Sequence, residues 1–202
     1  MHKSIKSIGL TEFVVLMAMM TSLTAMSIDT VLPGLDMGVK RPNDTQLVIS
    51  LLFMGMAIGQ MFLGPLSDSI GRKPTVYIGF GLFATGCLMS MLTNNFEIML
   101  AGRVLQGLGS AAPRVMVIAL VRDQFSGREM ARVMSFVMAV FILVPVVAPA
   151  FGQAVLLVAH WRWIFGIFLM MVLFIGIWFA WRQPETLSPD QLIPFSLVAI
   201  GR

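Results

Sequence analysis

The amino-acid sequence predicts an all-α integral membrane protein with six transmembrane helices. Three observations carry that reading. Of 202 residues, 57% are hydrophobic and 12% are charged, against roughly 45–50% and about 25% in a soluble domain. The mean hydropathy is +0.87. Six apolar stretches recur at the length of about 20 residues that a bilayer-crossing helix needs, without the period-2 alternation of a membrane β-barrel.

The first stretch, Phe13–Leu32, follows Lys3 and Lys6 and carries Asp29 inside "MSIDTVLPGL". The second is Leu47–Leu66, and the polar residues 67–74 turn the chain into the third, Thr75–Leu92, which holds Cys87, the only cysteine. A short link at 93–97 leads to the fourth stretch, Ile98–Leu120, which contains Arg103 and Arg114. After a longer link at 121–132 comes the fifth, Val133–Val158, with Pro145 and Pro149 near its middle. Each proline removes a backbone hydrogen bond, so a kink is expected there. The sixth, Trp163–Trp181, has tryptophans at both ends, as interfacial aromatic belts require. Residues 1–182 thus form one bundle, and the polar, proline-containing 183–202 reads as the start of a cytoplasmic linker with no second half behind it.

Charge sets orientation. With the N-terminus inside, the inner segments hold Lys3, Lys6, Arg72, Lys73, Arg122, Arg128, Arg132, Arg182 and Arg202, and the outer ones only Lys40, Arg41 and Arg162. Both termini are therefore expected in the cytoplasm. The net charge of +4 serves topology, and no basic cluster is interleaved with stacking aromatics, so nucleic acid is not an expected partner. A lone cysteine leaves no disulfide and no cysteine metal site. No metal or cofactor is expected. The two histidines, His2 and His160, lie outside the apolar stretches, and no H-E-x-x-H or paired aspartates occur within them, so an intramembrane enzyme is set aside.

The most polar turn reads "GPLSDSIGRKP", residues 64–74. Gly64 and Gly71 suit close backbone approach and a tight reversal, and Pro74 suits the first turn of the helix that follows. Asp68 and Arg72 are four apart and positioned to pair across a helical turn, and Lys73 adds inner positive charge. The stretch resembles the signature loop of the major facilitator superfamily, G-x-L-x-D-x-x-G-R-[KR]-x, and falls between the second and third spans as it does there. "RVLQGLGSAA" resembles the fourth-span motif R-x-x-Q-G-x-G-x-A, "PVVAPAFGQ" is similar to the fifth-span antiporter motif, and "WRWIF…PETL" to the sixth span and its exit. In the antiporter motif Pro149 and Gly152 match, whereas Val144, Ala148 and Gln153 stand where glycines are usual. Together these look most like the twelve-span drug exporters of the bicyclomycin/chloramphenicol-resistance branch.

That resemblance implies the N-terminal half of a twelve-helix fold, six helices as two three-helix inverted repeats. It implies a secondary active transporter in the inner membrane, exporting drugs or other small molecules in exchange for protons. It also implies that Asp68, Arg72 and Asp123 form a charge cluster that acts as a conformational switch.

Asp29, Arg103 and Arg114 are costly in lipid, by about 2.5–3.5 kcal/mol each at a helix centre on insertion scales. Asp29 lies three residues from the outer end of its stretch and Arg103 five from the outer end of its own, a depth difference of about 3 Å. An Asp29–Arg103 ion pair is expected, with Asp29, the one carboxylate within the stretches, as proton carrier. Arg103 and Arg114 are eleven residues apart, about 20° of rotation, so a polar stripe with Gln106 is expected along one face of the fourth helix. The alternative for Arg114 is snorkelling to the inner headgroups. Expected partners are a small-molecule substrate, protons and the lipid bilayer. A missing C-terminal half or partner subunit is the further expectation, and a truncated half with no transport of its own remains the alternative.

Overall fold

The computed structural model describes residues 9–30, 42–187 and 192–193. Six helices account for almost all of them: α1 Leu10–Asp29, α2 Pro42–Ile70, α3 Arg72–Leu92, α4 Phe96–Gln124, α5 Gly127–Val158 and α6 Trp163–Arg182. All six are long and apolar enough to cross a membrane, and no strand occurs among the described residues. Lys3, Lys6, Lys40, Arg41, Arg202 and most of the 33–46 link lie outside the described residues.

The helices outrun the apolar stretches. α2 continues through Ser67, Asp68 and Ser69 to Ile70, so the expected 67–74 turn contracts to Gly71 alone. Its φ of +101° is a conformation only glycine adopts without strain. Likewise the 121–132 link shrinks to Phe125 and Ser126. Hydropathy ends where side chains become polar, but the backbone ladder continues because polar residues bond along it equally well. At the start of α4, the Asn95 side chain accepts the Glu97 N–H at 2.8 Å, an ordinary N-cap.

Packing follows a twofold pattern. α2 packs on α4 as α5 packs on α1, and α3 on α4 as α6 on α1, while α1–α4 and α3–α6 contact across the middle. Exchanging α1–α3 with α4–α6 maps these pairings onto themselves, the relation expected of two three-helix repeats.

α4 is the central helix, and small residues let its neighbours close on it. A Cβ at Gly107 would strike the Leu52 carbonyl of α2, and one at Gly109 would strike the backbone N of Phe83 on α3. Such contacts join helices in lipid, where apolar burial supplies little drive between them. Phe83 meets Phe168 edge-on at 6.5 Å, and Phe80 meets Phe179 at 6.5 Å, fastening α3 to α6. α5 is the least covered helix, with Ile142, Val146, Val147, Leu157 and Val158 exposed. α5 is one helix from Gly127 to Val158 with Pro145 and Pro149 inside it, each leaving one rung of the backbone ladder without a donor. Ala148 and Gly152, one turn apart, are buried on it, and a Cβ at Gly152 would meet the Thr30 carbonyl at the end of α1.

Candidate functional site

At the α2–α3 corner the chain brings four charged side chains together. Arg72 Nη1 donates to Asp68 Oδ1 at 2.6 Å and to Ser67 Oγ at 2.6 Å, and Arg72 Nε donates to Asp123 Oδ2 at 3.2 Å. Three helices are thereby tied at one guanidinium. The Arg72 side chain is 13% exposed and Asp123 19%, whereas Asp68 keeps 46% of its side chain open.

The fourth member is Glu185, three residues beyond α6. Its Oε1 accepts the backbone N–H of Arg72 at 3.0 Å and its Oε2 accepts that of Lys73 at 2.9 Å. A carboxylate on the free N–H groups of a helix start is favoured by both hydrogen bonding and the helix dipole. Gly71 leaves the room, since a Cβ there would lie 2.8 Å from Glu185 Oε2. Beside it, Thr186 Oγ1 donates to Asp123 Oδ2 at 2.9 Å. Lys73 turns away from the acids and donates to the Ala180 carbonyl at 3.0 Å, near the electronegative end of α6. Sequence reasoning passed over Glu185. The available signal was "PETL" itself, which was read only as the exit of a span.

Gly64 does not carry the close approach expected of it. It sits within α2, and a Cβ there would find nothing nearer than Val115 Cγ1 at 4.0 Å.

The expected Asp29–Arg103 ion pair is not formed. Among the described residues the ion pairs are Arg72–Asp68, Arg72–Asp123 and Arg182–Glu12. Arg103 is 2% exposed and donates from Nη1 to Gln106 Oε1 at 2.8 Å and to the Ser27 carbonyl at 3.3 Å. Its guanidinium also lies 5.0 Å from the centroid of Phe165. Ser27 is in the last turn of α1, whose carbonyls lack intrahelical partners. A dangling carbonyl, an amide and an aromatic face therefore take the place of the carboxylate. Asp29 stands half-buried as the last residue of α1. Gln106 Nε2 donates onward to Cys87 Sγ at 3.3 Å, and Thr24 Oγ1 binds the Ser110 carbonyl at 3.0 Å.

The polar stripe on α4 is also divided. Arg103, Gln106 and Ser110 are buried among α1, α3 and α6, but Arg114 is exposed, its guanidinium 5.3 Å from the centroid of Phe141 on α5. Angular position on the helix places both arginines alike, while the neighbours differ with depth. At the far end of α1, Glu12 accepts Arg182 Nε and Nη2 at 2.5 Å each and Trp178 Nε1 at 3.1 Å, clasping α1 to α6.

Comparison with known proteins places this geometry in context. The sequence profile of the Major Facilitator Superfamily matches residues 10–199. The chain is 34% identical over 188 residues to the uncharacterised MFS-type transporter YdgK of Bacillus subtilis, covering 90% of this chain and 47% of that one. It is 33% identical over 195 residues to the bicyclomycin resistance protein homolog of Haemophilus influenzae, covering 94% and 49%. It is 32% identical over 146 residues to the multidrug resistance protein MdtL of Shigella flexneri, covering 71% and 37%. Among solved structures, that of the human organic anion transporter MFSD10 shares the fold, with a TM-score of 0.72 at 16% identity over 96% of this chain and 53% of that one. The chain spans about half the length of the first two of these relatives.

Proposed function

Because the chain belongs to the major facilitator superfamily, we propose that it forms the N-terminal half of a proton-coupled exporter of drugs or other small molecules in the inner membrane, both termini cytoplasmic. The observation that carries the reading is the Arg72 knot. One guanidinium holds the ends of α2 and α4 together through Asp68 and Asp123, at the corner where an alternating-access machine must open and close. Asp68 has only one oxygen committed and nearly half its side chain open, leaving it available to a group from the second half. In this reading Asp68, Arg72, Lys73 and Asp123, hinged on Gly71, form the conformational switch.

Asp29 is the proton carrier of the proposal, as the one carboxylate within the apolar stretches. Arg103 and Gln106 act apart from it, holding α1 to α4 through the Ser27 carbonyl. Pro145, Pro149 and Gly152 shape the face that α5 presents to α1.

A second reading rests on the half-length match to the relatives. Transport sites in such folds lie between two six-helix halves, so these six helices transport only together with a second set of six. Expression in an efflux-deficient strain, alone and beside a separately encoded C-terminal half of a family member, tests both. Drug resistance and substrate-driven proton movement in everted vesicles only with the partner support the half-transporter. Activity of the chain alone removes the need for a partner, and inactivity with several such halves sinks the exporter reading.

A further inference from the structure

Away from the charged corner, α3 and α6 enclose a groove of about 580 Å³, within the usual range of ligand sites, about 300–1,000 Å³. Met91 of α3 and Trp163, Met170 and Phe174 of α6 form its walls, and Gly166 leaves its floor open. Apart from the Trp163 indole, no lining side chain carries a polar group. Trp163, Met170 and Phe174 are exposed. A Cβ at Gly166 would meet Met91 Sδ at 3.5 Å, an ordinary contact, so the missing side chain and not a crossing backbone makes the hollow.

Its depth and its mouth say what fills it. From Trp163 to Phe174 the groove follows α6 for about 17 Å at 1.5 Å per residue. Half of a bilayer's hydrocarbon core is about 15 Å, so the groove has the depth of one leaflet. Its mouth lies at the end of the bundle opposite the Arg72 corner, since Lys73 at the start of α3 bonds Ala180 near the end of α6. There Arg162 Nη2 donates to Asn94 Oδ1 at 2.7 Å, bridging the start of α6 to the chain leaving α3. The guanidinium lies 5.4 Å from the centroid of Trp161, and its Nε is buried without a hydrogen-bond partner. Among the described residues no carboxylate lies within ion-pair distance of it.

We propose that this groove holds one glycerophospholipid of that leaflet, an acyl chain along Met91, Met170 and Phe174 and the phosphodiester on Arg162. The order of parts matches: dry walls one leaflet deep, then an indole at headgroup level, then a cation. Arginine suits a phosphodiester because its planar fork pairs with phosphate oxygens and keeps its charge when partly desolvated. The methionines, flexible and polarisable, adapt to a chain that is itself flexible. The inference stands on the membrane-spanning helices and is independent of what the chain transports.

The test is lipid retention. The whole chain, released from detergent, is weighed by native mass spectrometry while dioleoylphosphatidylglycerol, or dioleoylglycerol, which lacks the phosphate, is titrated in. Wild type is expected to hold one phospholipid roughly tenfold more tightly than the diacylglycerol, the worth of one charge-assisted bond. Arg162→Gln should erase that preference and leave diacylglycerol binding unchanged, which also shows that the variant is folded. Gly166→Leu, which puts a side chain into the groove, should weaken both lipids, whereas Gly166→Ala should bind both as wild type does. Equal phospholipid binding by wild type and Arg162→Gln overturns the proposal, as does parallel loss of both lipids in Arg162→Gln. Equal binding by Gly166→Leu and Gly166→Ala overturns it too. A wild-type dimer that Gly166→Leu dissociates would assign the groove to a second copy of the chain and overturn the lipid site.

Discussion

Glu185 Oε1 accepts the backbone N–H of Arg72 at 3.0 Å, so a residue beyond α6 caps the first turn of α3. The same carboxylate reaches Lys73, and its neighbour Thr186 reaches Asp123. The segment leaving the bundle is thus part of the charged corner, and its removal should be felt there first. Glu185→Ala is expected to cost about 1 kcal/mol, as loss of a helix N-cap does. Thermal unfolding in detergent reads the loss, and hydrogen exchange at the Arg72 and Lys73 amides should quicken in step. Unchanged exchange at those two amides would show that the cap contributes nothing.

The two acids on Arg72 should differ. Asp123 is the more buried and also accepts the Thr186 hydroxyl. Asp123→Asn should therefore cost about 1 kcal/mol, and Asp68→Asn only a few tenths, since exposed ion pairs contribute little. Transport, measured with the partner half present at equal expression, should fall in both. A wild-type rate in Asp68→Asn would reduce the corner to a solvated turn.

Arg103 is a buried cation without a carboxylate. Removing the charge relieves its desolvation but leaves the Gln106 amide oxygen and the Ser27 carbonyl without their donor. Arg103→Met should therefore unfold within about 1 kcal/mol of wild type, the two effects offsetting, yet lose transport. A large drop in melting temperature would mean that the contacts to Gln106 and Ser27 hold the fold rather than serve function.

Two glycine substitutions separate packing from propensity. Gly107→Val drives a side chain into the α2 backbone at Leu52 and should cost about 1–3 kcal/mol. Gly81→Ala meets nothing within 4 Å in mid-α3 and should stabilise by up to about 1 kcal/mol through helix propensity. Comparable melting temperatures in the pair would contradict the close α2–α4 contact.

Part of the site was legible in the chain. The spacing of Asp68 and Arg72 reads as a pair because four residues are one helical turn, and α2 does run on to Ile70 so that the pair forms. The extent of the helices was less legible, because hydropathy records exposure to lipid and not backbone hydrogen bonding. The Asp29–Arg103 pairing failed for a related reason. Depth along a span says how near two groups lie to the membrane surface, and nothing about which way each helix turns them or what else is in reach.

The sequence by itself determined the six apolar helices, their order and the membership of the family, since each rests on local composition or on contiguous motifs. Only the tertiary structure decided that Glu185 caps α3, that Ser27 and Phe165 surround Arg103, and that Arg114 stays open beside Phe141. Each of these contacts joins residues far apart in the chain, and its partner is chosen by how neighbouring helices cross at that depth. The burial of a charge follows from those crossings, which no periodicity within one helix encodes.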